Sequence, residues 1–94
     1  MKPDARPILA PHVRLQIDRL TGEPVLLSPE SILALNATSH AIVTRCDGER
    51  SVEEMIAELA LEYEAPTDAL REDVTGFLTE LHQKKLLVLN SNSL

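Results

Sequence analysis

Cysteine and aromatic residues are scarce in this sequence, and their scarcity excludes several kinds of protein. Cys46 is the one cysteine in 94 residues, so no disulfide can form within the chain and no cysteine-based metal cluster can be built. A chain without disulfides fits a reducing compartment, and we expect a cytoplasmic location. Tyr63 and Phe77 are the only aromatic residues. Stacking platforms for single-stranded nucleic acid need more aromatic side chains than these two.

Long apolar runs are also absent, and the charge is predominantly negative. No stretch approaches the roughly 18 apolar residues that a membrane-spanning helix requires, and the N-terminal residues lack the apolar core of a signal peptide. The chain has 9 basic and 15 acidic residues and a formal net charge of −6. Phosphate backbones and anionic membrane surfaces repel such a chain, so we expect it to bind neither nucleic acid nor membrane.

The residue types that commonly carry catalysis or bind metal are dispersed. His12, His40 and His82 lie far apart in the sequence, and none has a second ligand at the spacing of a zinc site. A chain of this length also buries only roughly 60–65% of its unfolded surface, which leaves little room for an enclosed catalytic cavity. We therefore predict no metal, no cofactor and no catalytic residue.

Four segments in the N-terminal third have an extended pattern. Residues 1–11 contain three prolines and predict an extended arm rather than a helix or a central strand. Residues 12–18 alternate polar and apolar side chains, which is typical of a half-buried strand. The apolar members of that alternation are Val13, Leu15 and Ile17. Two further short strands are predicted at 25–27 and 31–35.

Three helices and a final strand follow. Asn36 is a good N-cap for a first helix, which Gly48 should end after about Asp47. Ser51 and Glu54 form the capping box of a second helix. Ala65-Pro66 should end this second helix. A third helix, capped by Thr67 or Asp68, should run to about Lys84, and a strand should follow at 86–89.

This order of elements predicts an α+β domain with a winged-helix-like architecture: three short N-terminal strands, three helices and a short C-terminal strand. We expect the domain to cover residues 12–89, with an extended arm at 1–11 and a flexible tail at 90–94.

A row of carboxylates lies along the second helix. Glu54, Glu58 and Glu62 are four residues apart, so they share one face of that helix. A solvated outer face explains the row without any partner. The alternative is a docking face for a basic surface of another protein.

The segment 31–35 has apolar side chains on both faces of its predicted strand. Such a strand either buries both faces or leaves one for a partner. If it lies at the edge of the sheet, its unpaired N–H and C=O groups can accept another strand. The residues alone leave both interpretations open.

Six short motifs follow one another along the chain: His12–Leu15, Leu26–Glu30, Leu35-Asn36, Cys46–Ser51, Leu59–Tyr63 and Asp73–Leu78. In this order and spacing they resemble the PqqD family, which acts in the biosynthesis of pyrroloquinoline quinone. The resemblance covers about residues 12–89. One departure is clear, because the family pattern leads us to expect a glycine near the end of the last helix, where this chain has Lys84-Lys85.

The resemblance implies a non-catalytic peptide chaperone, similar to the recognition domains for ribosomally made and modified peptides. Such a protein binds the precursor peptide PqqA and presents it to PqqE, a radical S-adenosylmethionine enzyme that joins a glutamate to a tyrosine. In the family, the peptide lies between the third predicted strand and the third helix. Carried onto this sequence, that location implies a peptide-binding set of Ile32, Leu33, Ala34, Leu35, Val74, Thr75, Leu78 and Leu81.

Two other functions compete with peptide presentation. A winged-helix regulator would bind duplex DNA through the third helix, but that helix is rich in acidic residues and offers few phosphate contacts. A structural subunit would only stabilise the radical enzyme, with the acidic row Glu54, Glu58 and Glu62 as its contact. An exposed edge at 31–35 would also allow two copies to pair as a homodimer.

Overall fold

The computed structural model describes residues 2–90 and contains five strands and three helices within them. The elements in chain order are β1 (Arg6–Leu9), β2 (Arg14–Ile17), β3 (Pro24–Leu27), β4 (Ile32–Ala34), α1 (Ala37–Thr44), α2 (Val52–Tyr63), α3 (Thr67–Gln83) and β5 (Leu87–Asn90). The predicted α+β class, with three helices and a C-terminal strand, is confirmed. Asn90 ends β5, and the rest of the predicted tail, 91–94, lies outside the described residues.

The N-terminal arm contains a strand that the sequence analysis did not predict. Residues 6–9 pair with β5 in an antiparallel two-stranded sheet, with Ile8 opposite Val88. Four strands therefore precede the helices instead of three. The prolines argued against a strand in this segment, because proline has no N–H to donate. Pro7 nevertheless lies within β1, where its carbonyl accepts the N–H of Gly48 at 2.9 Å. Ala5 and Ala10, on either side of β1, belong to the core.

The second sheet has the strand order β2-β3-β4, with both pairs antiparallel. Leu26 on the central strand lies between Leu15 on β2 and Leu33 on β4. The prediction that β2 is half-buried is wrong for most of its length. Val13, just before the strand, is buried, but Leu15 is 36% exposed and Ile17 is 52% exposed. The main tertiary contact of β2 is with β3, and its apolar side chains remain partly in water.

Local capping signals position two of the helices as predicted. The Asn36 side chain accepts from the Ser39 N–H at 2.8 Å, and Ser51 accepts from the Glu54 N–H at 3.1 Å. Both caps are reciprocal capping boxes. Ser39, whose hydroxyl completes the first box, was not predicted to do so.

Two helix boundaries differ from the prediction. The first helix ends at Thr44 rather than near Asp47, and Gly48, at φ 79°, lies in the turn beside β1. The Gly48 N–H donates to a carbonyl of β1, so this glycine joins the turn to the strand and does not end the helix. Pro66, which has no side-chain cap bond, is the N-cap of α3, in place of Thr67 or Asp68. Its missing N–H costs nothing at a helix start.

The core lies between α2 and α3 and extends to the strands. Met55 and Leu59 on α2 and Val74, Leu78 and Leu81 on α3 are fully buried. Cys46 is buried as well, and that burial, together with nearby Asp47, raises the pKa of its thiol to about 12. Within residues 2–90, no helix has the length and hydropathy to cross a membrane.

Candidate functional site

The outer edge of β4 carries main-chain groups that no other strand pairs within residues 2–90. Ser28 donates its N–H to the Ser31 carbonyl at 2.9 Å, and Leu35 donates to the Pro24 carbonyl at 3.0 Å. In an antiparallel pair, hydrogen-bonded residues alternate with residues whose N–H and C=O turn away. Residues 31, 33 and 35 therefore bond to β3 or to Ser28 just after it, and Ile32 and Ala34 direct their N–H and C=O groups outward. Of the two interpretations left open by the sequence, the edge position is the one observed.

The side chains of this segment divide between the core and the solvent. Leu35 is 3% exposed and Leu33 packs half-buried against the core. Ile32 is 71% exposed, and Ala34 is also exposed. One apolar face of the segment thus serves the fold, whereas the other faces solvent beside the unpaired edge.

Most of the α3 residues in the predicted peptide-binding set belong to the core. Val74, Leu78 and Leu81 are fully buried, so their side chains do not reach the surface of this structure. Thr75 is half-buried, and its hydroxyl donates to the Arg71 carbonyl at 2.6 Å. Thr75 lines a shallow depression on the outer face of α3, together with Gly76, Thr79, Glu80 and Gln83. The accessible members of the set are therefore Ile32, Leu33, Ala34 and Thr75.

A groove runs along β4 and meets the chain where α3 ends. Its volume is about 350 Å³, and its lining residues are Glu30, Ser31, Ile32, Leu33, Lys84 and Leu86. A second depression of about 280 Å³ continues it around Glu30 and Ser31. His12, Ser28, Pro29 and Lys85 join its lining there. The structure thus brings β4 together with the C-terminal end of α3, rather than with the middle of that helix.

The turn after α3 has the hydrogen bonds of a Schellman motif. Lys85 donates its N–H to the His82 carbonyl at 3.0 Å, and Leu86 donates to the Leu81 carbonyl at 2.9 Å. Lys85 occupies the left-handed position of the motif, with φ 62°. Glycine adopts that conformation freely, whereas another residue incurs roughly 1–2 kcal/mol of strain.

Lys84, Lys85 and Leu86 were missing from the predicted site, although one sequence signal marked them. That signal was the lysine pair at the position where the resemblance led us to expect glycine. The helix stop itself does not depend on the glycine, because the motif closes with Lys85 in its place.

The carboxylates of the acidic row on α2 bind main-chain and side-chain groups of the same protein. The Glu54 carboxylate accepts from the Ser51 N–H at 3.0 Å, and this bond holds the pKa of Glu54 below its usual range. Glu58 forms ion pairs at 3.0 Å with both Arg45 and Arg50, and Glu62 lies 3.3 Å from Arg45. The three carboxylates therefore present less free charge than their spacing indicates.

No three His, Cys, Asp or Glu side chains between residues 2 and 90 lie close enough to hold a metal ion. Cys46 donates its S–H to the Ile42 carbonyl at 3.4 Å, inside the core. A thiol in that environment is neither a ligand nor a nucleophile at neutral pH, because both roles need the thiolate. The groove beside β4 offers main-chain bonds, apolar contacts and lysine charges, which are the means of binding a peptide.

The chain is similar to PqqD proteins in its sequence and in its fold. The family described as "Coenzyme PQQ synthesis protein D (PqqD)" matches residues 23–87. A "PqqA binding protein" of Xanthomonas axonopodis pv. citri (strain 306) is 41% identical over 86 residues, which are 92% of this chain and 94% of the relative. A protein of the same name in Rhizobium meliloti (strain 1021) is 39% identical over 79 residues, which are 84% of this chain and 81% of the relative.

Two solved structures share the fold. The solution NMR structure of the PqqD truncation of Methylobacterium extorquens PqqCD aligns with a TM-score of 0.75 and 30% identity, over 94% of this chain and 99% of that one. It is described as a functional and stand-alone recognition element for ribosomally synthesized and post-translationally modified peptides. The crystal structure of PqqD from Xanthomonas campestris aligns with a TM-score of 0.61 and 37% identity, over 95% of this chain and 99% of that one.

Proposed function

Since the chain belongs to the PqqD family, we propose that it is a non-catalytic binding protein that accepts the precursor peptide PqqA as an added strand along β4. We further propose that it presents this peptide to the radical S-adenosylmethionine enzyme PqqE. The observation that carries the proposal is the unpaired outer edge of β4 beside the exposed Ile32 side chain.

Strand addition uses both features of that edge. The outward groups of Ile32 and Ala34 are two N–H donors and two C=O acceptors. At about 0.5–1.5 kcal/mol net for each main-chain hydrogen bond, four bonds contribute roughly 2–6 kcal/mol. Covering Ile32 adds up to about 1.5–3 kcal/mol, because most of that side chain is now in water. Main-chain bonds supply affinity in this mode, and the apolar side chain supplies preference for a matching residue.

An NMR titration with PqqA tests the proposal. Amide resonances of residues 31–35 and of the segment around Lys84 should shift on addition of peptide, whereas those of α2 should not. Unchanged resonances along β4 at saturating peptide would contradict the proposed mode.

A pair of matched variants adds an affinity measurement. Ile32→Asp places a charge where the peptide should cover an apolar side chain, so we expect about tenfold weaker binding. Leu20→Asp is the control, because Leu20 is 96% exposed and lies in the turn between β2 and β3. It should bind within about twofold of the parent. Equal loss in both folded variants would argue against a specific role for Ile32.

The same edge also allows two copies to pair through β4 in the absence of peptide, as the sequence analysis noted. Because both partners would need the same N–H and C=O groups, peptide and second copy should exclude each other. Sedimentation velocity with and without PqqA tests this. A dimer that survives saturating peptide would contradict pairing through β4.

Docking of PqqE through Glu54, Glu58 and Glu62 stays a prediction. The ion pairs with Arg45 and Arg50 leave that row less charge to offer a basic partner. Duplex DNA binding gains no support from α3, because Arg71 is engaged by Glu53 at 2.6 Å and the neighbouring Glu72 and Asp73 are exposed acids.

A further inference from the structure

Lys84 lines the groove along β4, and Lys85 lines the depression that continues this groove around Glu30 and Ser31. We infer that the Lys85 ammonium, flanked by Lys84, binds a carboxylate of the bound peptide and thereby sets the direction in which the peptide lies along β4. This inference rests on the proposed function and adds to it the chemistry of the segment that is recognised: an acidic side chain next to an apolar one.

The first argument is the state of the basic side chains. Arg45, Arg50 and Arg71 are each committed to a carboxylate of the chain. Lys84 lies 3.7 Å from Glu80. Lys85 makes no ion pair and no side-chain hydrogen bond with any residue between 2 and 90. Lys2, Arg14 and Arg19 also form no ion pair within residues 2–90, but of these four residues Lys85 is the one that lines a depression beside β4. In a chain of net charge −6, a cation in that position is available for an external anion.

The second argument is the backbone conformation at Lys85. Its φ of 62° is one that glycine adopts without strain, and the Schellman motif needs no side chain there. Glycine would therefore end α3 more favourably than lysine does. A strained residue with a charged side chain that lines a groove indicates that the side chain has a role beyond the fold.

The third argument is the position of the lysines along the groove. Lys84 lines both depressions around Glu30 and Ser31, which lie at the start of β4, and Lys85 lines the second of them. Asn36 and His40 line a depression at the other end of the strand. Because the lysine cations lie at one end only, a peptide with one acidic residue should prefer one direction. Its carboxylate should lie within about two residues of the peptide residue that pairs with Ile32, since each strand residue spans roughly 3.3 Å.

Other ionisable groups near the lysines limit the strength of the contact. Glu30 lines both depressions, His12 lines one of them, and Glu80 attracts Lys84. Since Glu30 forms no ion pair with Lys85, it does not take the place of an external carboxylate. It does repel one, so the contact should give specificity rather than most of the affinity.

The chain contains a matched control for the backbone effect. Glu64, at the end of α2, also has a left-handed backbone, with φ 48°, but it lines neither of the two depressions beside β4. Lys85→Gly and Glu64→Gly should therefore raise the melting temperature in the same way. Of these two glycine variants, only Lys85→Gly should weaken binding of PqqA, by about threefold. The charge reversal Lys85→Glu should weaken it by about tenfold.

Calorimetric titrations at low and high salt, with thermal unfolding of each variant, measure both effects. The parent should lose affinity as salt rises, and Lys85→Gly should lose less. Synthetic PqqA in which each Asp and Glu is changed in turn to Asn or Gln should reveal one position where parent and Lys85→Gly bind equally. A lysine at that peptide position should restore binding to Lys85→Glu.

Two negative results are distinguishable. If PqqA binds the parent and both lysine variants equally, the charge contact is refuted and peptide binding along β4 stands. If PqqA does not bind the parent at all, the proposed function fails and the charge contact fails with it.

Discussion

Replacing Ala34 with proline tests the unpaired edge of β4 more directly than any side-chain change. The Ala34 N–H points away from β3, so its loss leaves the ladder within the protein intact. Proline is tolerated on an edge strand when the missing N–H faces outward. The preceding Leu33 is already extended, as proline requires of its neighbour. We expect the variant to fold.

The loss of affinity follows from the geometry of that edge. An added strand would lose the bond to the Ala34 N–H, and the proline ring would displace the neighbouring bond as well. At about 0.5–1.5 kcal/mol each, one or two lost bonds cost roughly 0.5–3 kcal/mol. That range corresponds to binding that is about twofold to 150-fold weaker. Ala34 contributes only a methyl group, so little of the change would come from the side chain.

Isothermal titration with PqqA measures this loss, and circular dichroism checks the fold. Leu15→Pro is the matched control, because it removes an N–H from the opposite edge of the same sheet. The Asp18 N–H donates to the Glu23 carbonyl at 2.8 Å, and hydrogen-bonded and outward-facing residues alternate from there along β2. The Leu15 N–H therefore points away from β3. It should leave affinity unchanged. Full affinity in a folded Ala34→Pro variant, or equal losses in both variants, would refute strand addition along β4.

Three further predictions concern the fold. Leu78→Ala should lower the free energy of unfolding by about 2–5 kcal/mol in urea titrations, since the fully buried side chain leaves a cavity; a smaller change would indicate that the site collapses. Because burial raises the pKa of Cys46 to about 12, iodoacetamide should label it at pH 8 only as the protein unfolds, and rapid labelling of the native protein would contradict this. Arg71 holds the pKa of Glu53 below its ordinary value of 4.5, so the ion pair stabilises the fold above that pH and the benefit disappears as pH falls. The melting temperatures of the parent and Glu53→Gln should therefore differ at pH 7 and converge in acid; a constant difference would show that the charge is not responsible.

The helices were predictable because their signals are local. A cap needs a side chain and an N–H three residues away, and both boxes, at Asn36 and Ser51, lie within single turns. The apolar stripes of α2 and α3 likewise repeat within each segment. Pairing of β1 with β5 joins residues more than 75 positions apart, so no local pattern could indicate it.

The exposure of Leu15 and Ile17 shows the limit of strand patterns. Alternation indicates that one face is apolar, but it does not show whether another element covers that face. Here β2 packs mainly against β3, and its apolar face remains partly in water.

The sequence by itself determined the class of elements, their order and the family, because capping residues, periodic stripes and motif spacing are all read along the chain. Tertiary structure alone decided which apolar residues remain available for binding. Ile32 and Leu33 are adjacent and equally apolar, yet one faces solvent and the other packs on the core, because strand register assigns alternate residues to opposite faces. In the same way, the end of α3 brings Lys84 beside β4, although about 50 residues separate them in the chain.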